Sequence, residues 1–292
     1  MPSEPSATTR YLTALAQRVT APYMELPHTR AVLLTGSVSE NVTDHFSDLD
    51  ISVYYDELPS EEQLAAIRAG HGAPDRLWLL GDRADGGVIE AYLVEGVECQ
   101  IVHTTVSAWE ASIATVLERL EVESPLQKAM DGTLHGIALH GEPLIAGWQA
   151  RLAAYPDALA EAMVRHYLRF FPLWYIRDRF LVRDALLWRC QAMAETGQHI
   201  LGVLAGLNRQ YFSTFQFKRM RRFIDQMSIR PPNLAERIEL LLSPDVETAI
   251  TTLEELVAEV ATLVEQHMPQ VDTAAVRVRL GKRQQPWQIR EV

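Results

Sequence analysis

The stretch Leu33–Tyr55, LLTGSVSENVTDHFSDLDISVYY, decides the fold. An apolar run ends in Gly36-Ser37, ten residues follow, and Asp48-Leu49-Asp50 then opens a second apolar run. Short apolar runs bounded by turn residues read as buried strands. Strand side chains alternate between faces, so Asp48 and Asp50 point one way and Leu49, Ile51 and Val53 point the other, into a core. Two neighbouring carboxylates repel, and each raises the pKa of the other. A hard divalent cation relieves that repulsion, and Mg²⁺ in particular takes carboxylate oxygens together with substrate phosphates. Gly36 lets backbone N–H groups approach a phosphate closely. A short helical turn starting at Ser37 would aim its N-terminus at the same anion, and the Ser37 hydroxyl adds a donor. A metal pair beside a phosphate cradle describes a site for a metal-bound nucleoside triphosphate. For Asp-x-Asp by itself the alternative is a strand end whose carboxylates face water.

Working outward, apolar residues at helical spacing (Tyr11, Leu12, Leu15, Val19) predict a helix over Thr8–Tyr23. PSEEQLAAIRAG reads as a helix with Ser60 as N-cap and Gly70 or Gly72 as its stop. DRLWLL is a further strand, and GGVIEAYLVEGVECQIVHTT reads as two strands around a tight turn at Glu95-Gly96. Helices are expected over about 105–119 and 124–133, and HGIALHGEPLIAG reads as a Gly-rich link closing this half. From about Ala150 the period is almost wholly helical, broken at Pro172, with later helices near 217–227, 233–242 and 245–267. The last carries Val246, Ile250, Leu253, Val257, Val260 and Val264, a stripe that reads as bundle core. The stretch after Pro269, with Arg277, Arg279, Lys282, Arg283 and Arg290, reads as a solvated tail.

The whole chain has 292 residues, 48% of them hydrophobic, which suits about two domains with full cores. Its net charge of −11 argues against broad nucleic-acid binding, because phosphate backbones are repelled. Cys99 and Cys190 lie far apart in apolar contexts, so both are expected as buried thiols rather than a disulfide or zinc site. The N-terminus lacks the basic and apolar regions of a signal peptide, and no apolar run reaches bilayer length. A soluble cytoplasmic protein is expected.

Gly-Ser, about ten residues, then Asp-x-Asp in an apolar strand resembles the signature of the nucleotidyltransferase superfamily that includes DNA polymerase beta. In that family a third carboxylate on a later strand completes the metal site. Glu98 in GVECQIVH matches it, with Glu90 on the neighbouring strand as the runner-up. The chain resembles, in plan, the aminoglycoside adenylyltransferases that modify streptomycin and spectinomycin, and also the kanamycin and lincosamide nucleotidyltransferases. FSDLD and GVECQIV carry the likeness to the first group.

The resemblance implies an α/β nucleotidyltransferase domain over 1–149, a mixed sheet flanked by helices, followed by an all-α helical bundle over 150–292. It implies an Mg²⁺-dependent enzyme using ATP as co-substrate and moving a nucleoside monophosphate to a hydroxyl of a small molecule, possible aminoglycoside-like antibiotics included. Asp48, Asp50 and Glu98 would be the catalytic metal ligands, with Glu98 also a candidate base. Gly36, Ser37, Ser47 and Lys218 would serve the nucleotide, with Arg177 or Arg183 as further phosphate contacts. The alternatives are an antitoxin-type transferase acting on a protein, a non-catalytic nucleotide-binding protein of the same fold, and a nucleic-acid polymerase or tRNA-processing enzyme. The last needs a basic groove that the net charge opposes. His103 and the aromatics Trp174, Tyr175, Trp188, Tyr211 and Phe212 are read as structural, and the helical arginines Arg165, Arg169, Arg177, Arg179, Arg183 and Arg189 as mostly solvated surface, with one or two free to line a cleft.

Overall fold

The computed structural model describes residues 4–123, 125–280 and 287–288. The chain forms two compact units: residues up to Arg119 with Lys128–Ala154, and Leu120–Gln127 with the residues from Tyr155 onward.

The first unit begins with α1 (Ala7–Met24), β1 (Thr29–Thr35), the four-residue α2 (Gly36–Ser39), β2 (Leu49–Tyr55) and α3 (Glu61–Gly70). It continues with β3 (Trp78–Asp82), β4 (Gly87–Val94), β5 (Val97–Thr105), α4 (Val106–Leu117), α5 (Leu126–Leu134), β6 (Ile137–His140) and α6 (Glu142–Ala153). The first two residues of α5 belong to the second unit. The six strands form one mixed sheet in the order β3-β4-β5-β2-β1-β6. Only β2 and β5 run parallel; the other neighbours are antiparallel.

One face of the sheet carries the core. Leu12, Leu15, Ala16, Val19 and Tyr23 of α1 and Leu64 of α3 pack on Val32, Leu34, Leu49, Ile51, Val53, Cys99 and Ile101. The opposite face is covered at one end by α4 and α6, where the Tyr54 ring meets Trp109 and Trp148 at 5.9 and 4.6 Å between centroids. Local chemistry sets the boundaries. Ser60 and Gln63 close a reciprocal capping box at the start of α3. Glu95 and Gly96, both at positive φ, make the two-residue turn between β4 and β5.

Three expectations need correction. HGIALHGEPLIAG is not a link: it holds the edge strand β6, paired with β1, and the start of α6. Four strand residues are too few for periodicity to register. Gly141, at φ +68, joins the two elements where a Cβ would lie 2.1 Å from the Arg30 carbonyl oxygen. Cys190 is exposed, while Cys99 is buried as expected. The stretch after Pro269 is not all tail, because a short helix forms at Ala274–Arg279 and Arg277 pairs with Glu265. Lys282, Arg283 and Arg290 lie outside the described residues.

The described elements of the second unit are helical: α7 (Asp157–Tyr167), α8 (Leu173–Val182), α9 (Leu186–Asn208), α10 (Met220–Asp225), α11 (Leu234–Leu240), α12 (Val246–His267) and α13 (Ala274–Arg279). Ile250, Leu253, Val257, Val260 and Val264 of α12 are buried, and Pro172 stands at the N-cap of α8. Arg177 joins α8 to α12 through Glu247 and Glu254, and Arg179 lies over the Tyr175 ring at 3.4 Å. Tyr211 and Phe212 are packed in the interior. Among the described residues no helix is long and apolar enough to cross a membrane.

Candidate functional site

The parallel register of β2 and β5 sets Leu49 beside Cys99, Asp50 beside Gln100 and Ile51 beside Ile101. Residues in register share a face. Cys99 and Ile101 are buried with Leu49 and Ile51, so Glu98 and Gln100 stand on the face of Asp50. Asp48 immediately precedes β2 and is half-buried, as are Asp50, Glu98 and Gln100.

One side chain joins two of the carboxylates. Gln100 Nε2 donates to Asp48 Oδ2 at 3.0 Å and to Glu98 Oε1 at 3.1 Å. The Trp78 indole of β3 donates to the same Glu98 oxygen at 3.1 Å. Gln100 and Trp78 were not singled out from the sequence. The signal for Gln100 was its period-2 spacing from Glu98; Trp78 is brought in by the pairing of β3 with β4, which a linear pattern does not specify.

The turn after β1 closes on Asp50. Gly36 has φ +68, and a Cβ built on it would stand 2.1 Å from Asp50 Oδ2. Only glycine allows that approach, for both backbone and contact reasons. Ser37 Oγ is buried and, among the described residues, has no hydrogen-bond partner. Ser47 is differently occupied: its hydroxyl accepts from the Asp44 N–H at 2.9 Å and so shapes the loop that leads to Asp48.

Glu90 is excluded as the third carboxylate of this face. It pairs with Ile101 across the hairpin, so it points into the opposite, core side. There it is 1% exposed and takes ion pairs from Arg68 and Arg76 at 2.5 and 2.7 Å. His103 lies beside it, Nε2 at 3.3 Å from Glu90 Oε1 and Nδ1 at 3.0 Å from the Tyr55 hydroxyl. Burial holds the imidazole below its usual pKa. A neutral His103 donates from Nε2–H and accepts the Tyr55 proton, which leaves two guanidiniums balancing Glu90 and Glu61. The structure therefore gives His103 a packing role.

Lys218 is exposed in the segment before α10 and, among the described residues, makes no ion pair. It belongs to the second unit. Arg183 is also exposed.

The donor set is all oxygen from carboxylates, which suits Mg²⁺ rather than a thiophilic metal. Among the described residues no three His, Cys, Asp or Glu side chains converge as a ready metal group. The Gln100 amide protons lie between Asp48 and Glu98, where they offset the negative charge. At the same end of the sheet the Ser37 hydroxyl is buried, and Gly36 comes close to Asp50.

No protein-family model matches the chain, and no curated protein does. Among solved structures, a nucleotidyltransferase-like protein from Exiguobacterium sibiricum 255-15 is similar over 88% of this chain and 81% of its own, at a TM-score of 0.43 and 11% sequence identity.

Proposed function

We propose that the chain is an Mg²⁺-dependent nucleotidyltransferase that moves a nucleoside monophosphate, AMP from ATP, onto a hydroxyl of a small molecule. One observation carries the reading: Asp48, Asp50 and Glu98 stand on one sheet face, at the end where the Gly36-Ser37 turn closes on Asp50. Bound Mg²⁺ would supply neutralisation of the triphosphate charge and a template for the attacking and leaving oxygens. The chain's own residues would bind and orient. Asp48, Asp50 and Glu98 would hold the ion, and Gly36 and Ser37 would contact phosphate oxygens through backbone amides and the Ser37 hydroxyl. The hydrogen bonds from Trp78 and Gln100 to Glu98 both fall on Oε1. Its Oε2 is therefore the oxygen offered to the acceptor proton. An aminoglycoside-like hydroxyl acceptor is the class to screen first, on the family likeness of the motifs.

The test is calorimetric titration of ATP into the purified chain, with and without Mg²⁺, beside the Asp48→Asn/Asp50→Asn double variant. Mg²⁺-dependent binding that the variant loses is the expected result. Binding unchanged in the variant, or none with any triphosphate, would overturn the reading.

A further inference from the structure

The carboxamide of Gln100 has a feature that the three-carboxylate reading does not use. Its single nitrogen spends both hydrogens on carboxylates, one on Asp48 and one on Glu98. These are the groups that must face one ion if the proposed function holds. An amide nitrogen and a cation compete for the same acceptors, because each presents positive charge to the same oxygens. The planar carboxamide has an oxygen in place of the nitrogen after a half-turn about its last torsion, and that torsion is soft. An amide oxygen is a normal ligand for a hard divalent cation.

We propose that Gln100 is a metal-site residue with two roles: Nε2 clamps Asp48 and Glu98 in position, and the rotated Oε1 then serves as an added oxygen ligand. This rests on the metal-site reading of the preceding subsection. The surroundings favour such a residue here. Gln100 is paired in register with Asp50 on one side and with Ala91 on the other, so its carboxamide stands beside the Asp-x-Asp strand end. The Trp78 indole keeps its own bond to Glu98 Oε1, so Glu98 stays anchored when the amide leaves it. The buried, unpartnered Ser37 hydroxyl is a separate observation that points to a ligand at this end of β2.

The experiment uses the full chain stripped with EDTA, with Mn²⁺ alone as the probe. Binding is read by electron paramagnetic resonance of the free ion, and stability by thermal melting. Wild type should bind Mn²⁺, and Asp50→Asn should abolish that binding. Gln100→Leu, which removes both clamp and ligand, should weaken Mn²⁺ binding at least about tenfold, the scale at which orienting partners act on metal affinity. Gln100→Glu should melt lower than wild type in EDTA, because a fourth carboxylate replaces the clamp. Its Mn²⁺-induced rise in melting temperature should exceed that of wild type. Gln100→Asn, too short to reach both partners, should repeat the Leu result if the Leu variant does not fold. Mn²⁺ affinity unchanged in Gln100→Leu or Gln100→Asn, with only the melting temperature lowered, would overturn the proposal and leave the metal site standing. Absence of Asp50-dependent Mn²⁺ binding in wild type would overturn the metal-site reading itself.

Discussion

At the scale of the residue, two glutamates eight positions apart have opposite fates. Both sit in apolar strands, and both are candidates for a third carboxylate. A two-residue turn at Glu95-Gly96 pairs Val94 with Val97, which puts Glu90 opposite Ile101 and Glu98 opposite Leu93. Parity then sends Glu90 to the core and Glu98 to the site. That much was in the sequence once the turn was read; the two arginines that make a core glutamate tolerable were not. His103 beside Glu90 carries a pH prediction. Its folded pKa lies below the unfolded 6.5, so the unfolded chain binds the extra proton first on acidification. Stability is then complete above pH 6.5 and falls as pH drops toward the lower folded value. Urea unfolding should show stability falling as pH is lowered below 6.5, by no more than about 1.4 kcal/mol per pH unit from this group. His103→Gln, which can keep the bonds to Glu90 and Tyr55 without titrating, should shrink that loss. It should not remove it, because burial also lowers the pKa values of His71 and His166. An unchanged pH slope in the variant would show that His103 is not held neutral.

At the scale of the element, close packing is written in glycines more than in apolar residues. α7 and α9 meet at Gly202, where a Cβ would fall 2.3 Å from the Tyr167 ring, and at Gly206, where it would fall 2.9 Å from the Ala160 carbonyl oxygen. An alanine at a mid-helix glycine normally gains about 1 kcal/mol through helix propensity. Here it must displace a ring that is 5% exposed, and overpacking costs about 1–3 kcal/mol. The clash should win, and Gly202→Ala should lower the urea midpoint without changing the m-value. A raised midpoint would mean that α7 and α9 are packed less tightly than they stand. The helical period of α9 and α12 was readable, as was the Ser60 cap. The extent of β6 was not, because a four-residue edge strand leaves no period to read.

At the scale of the whole molecule, the charge of −11 bears on partners. Affinity for nucleic acid depends on releasing counterions from phosphates that cationic groups replace. Many of this chain's arginines are already committed to its own carboxylates: Arg68 to Glu90, Arg177 to Glu254, Arg221 to Glu239, Arg237 to Glu259 and Arg277 to Glu265. A labelled DNA duplex at physiological salt should therefore show binding no tighter than the weak end of the nonspecific range, a Kd of about 10⁻⁴ M or weaker by fluorescence anisotropy. A steep salt dependence with micromolar affinity would reverse that expectation. The two units also show how contacts outrun chain order. Leu120–Gln127 falls with the later residues, where Gln127 is fully buried, donates to the Val122 carbonyl and accepts from the Phe212 N–H. A buried amide satisfied by residues so far along the chain has no local signature.

The sequence by itself determined the faces. Alternation in β2 and β5, the turn at Glu95-Gly96 and the glycine before Ser37 are local, and local sterics decide them. From alternation Asp48 and Asp50 were expected to point away from the core, whereas Glu98 was chosen over Glu90 on the family resemblance. Only the tertiary structure decided what meets them. The parallel pairing of β2 with β5 brings Gln100 to Asp48 across a separation of 52 residues, and the pairing of β3 with β4 brings Trp78 to Glu98. Strand pairing is settled by the packing of the whole sheet on α1 and α3, and no short stretch of sequence carries it.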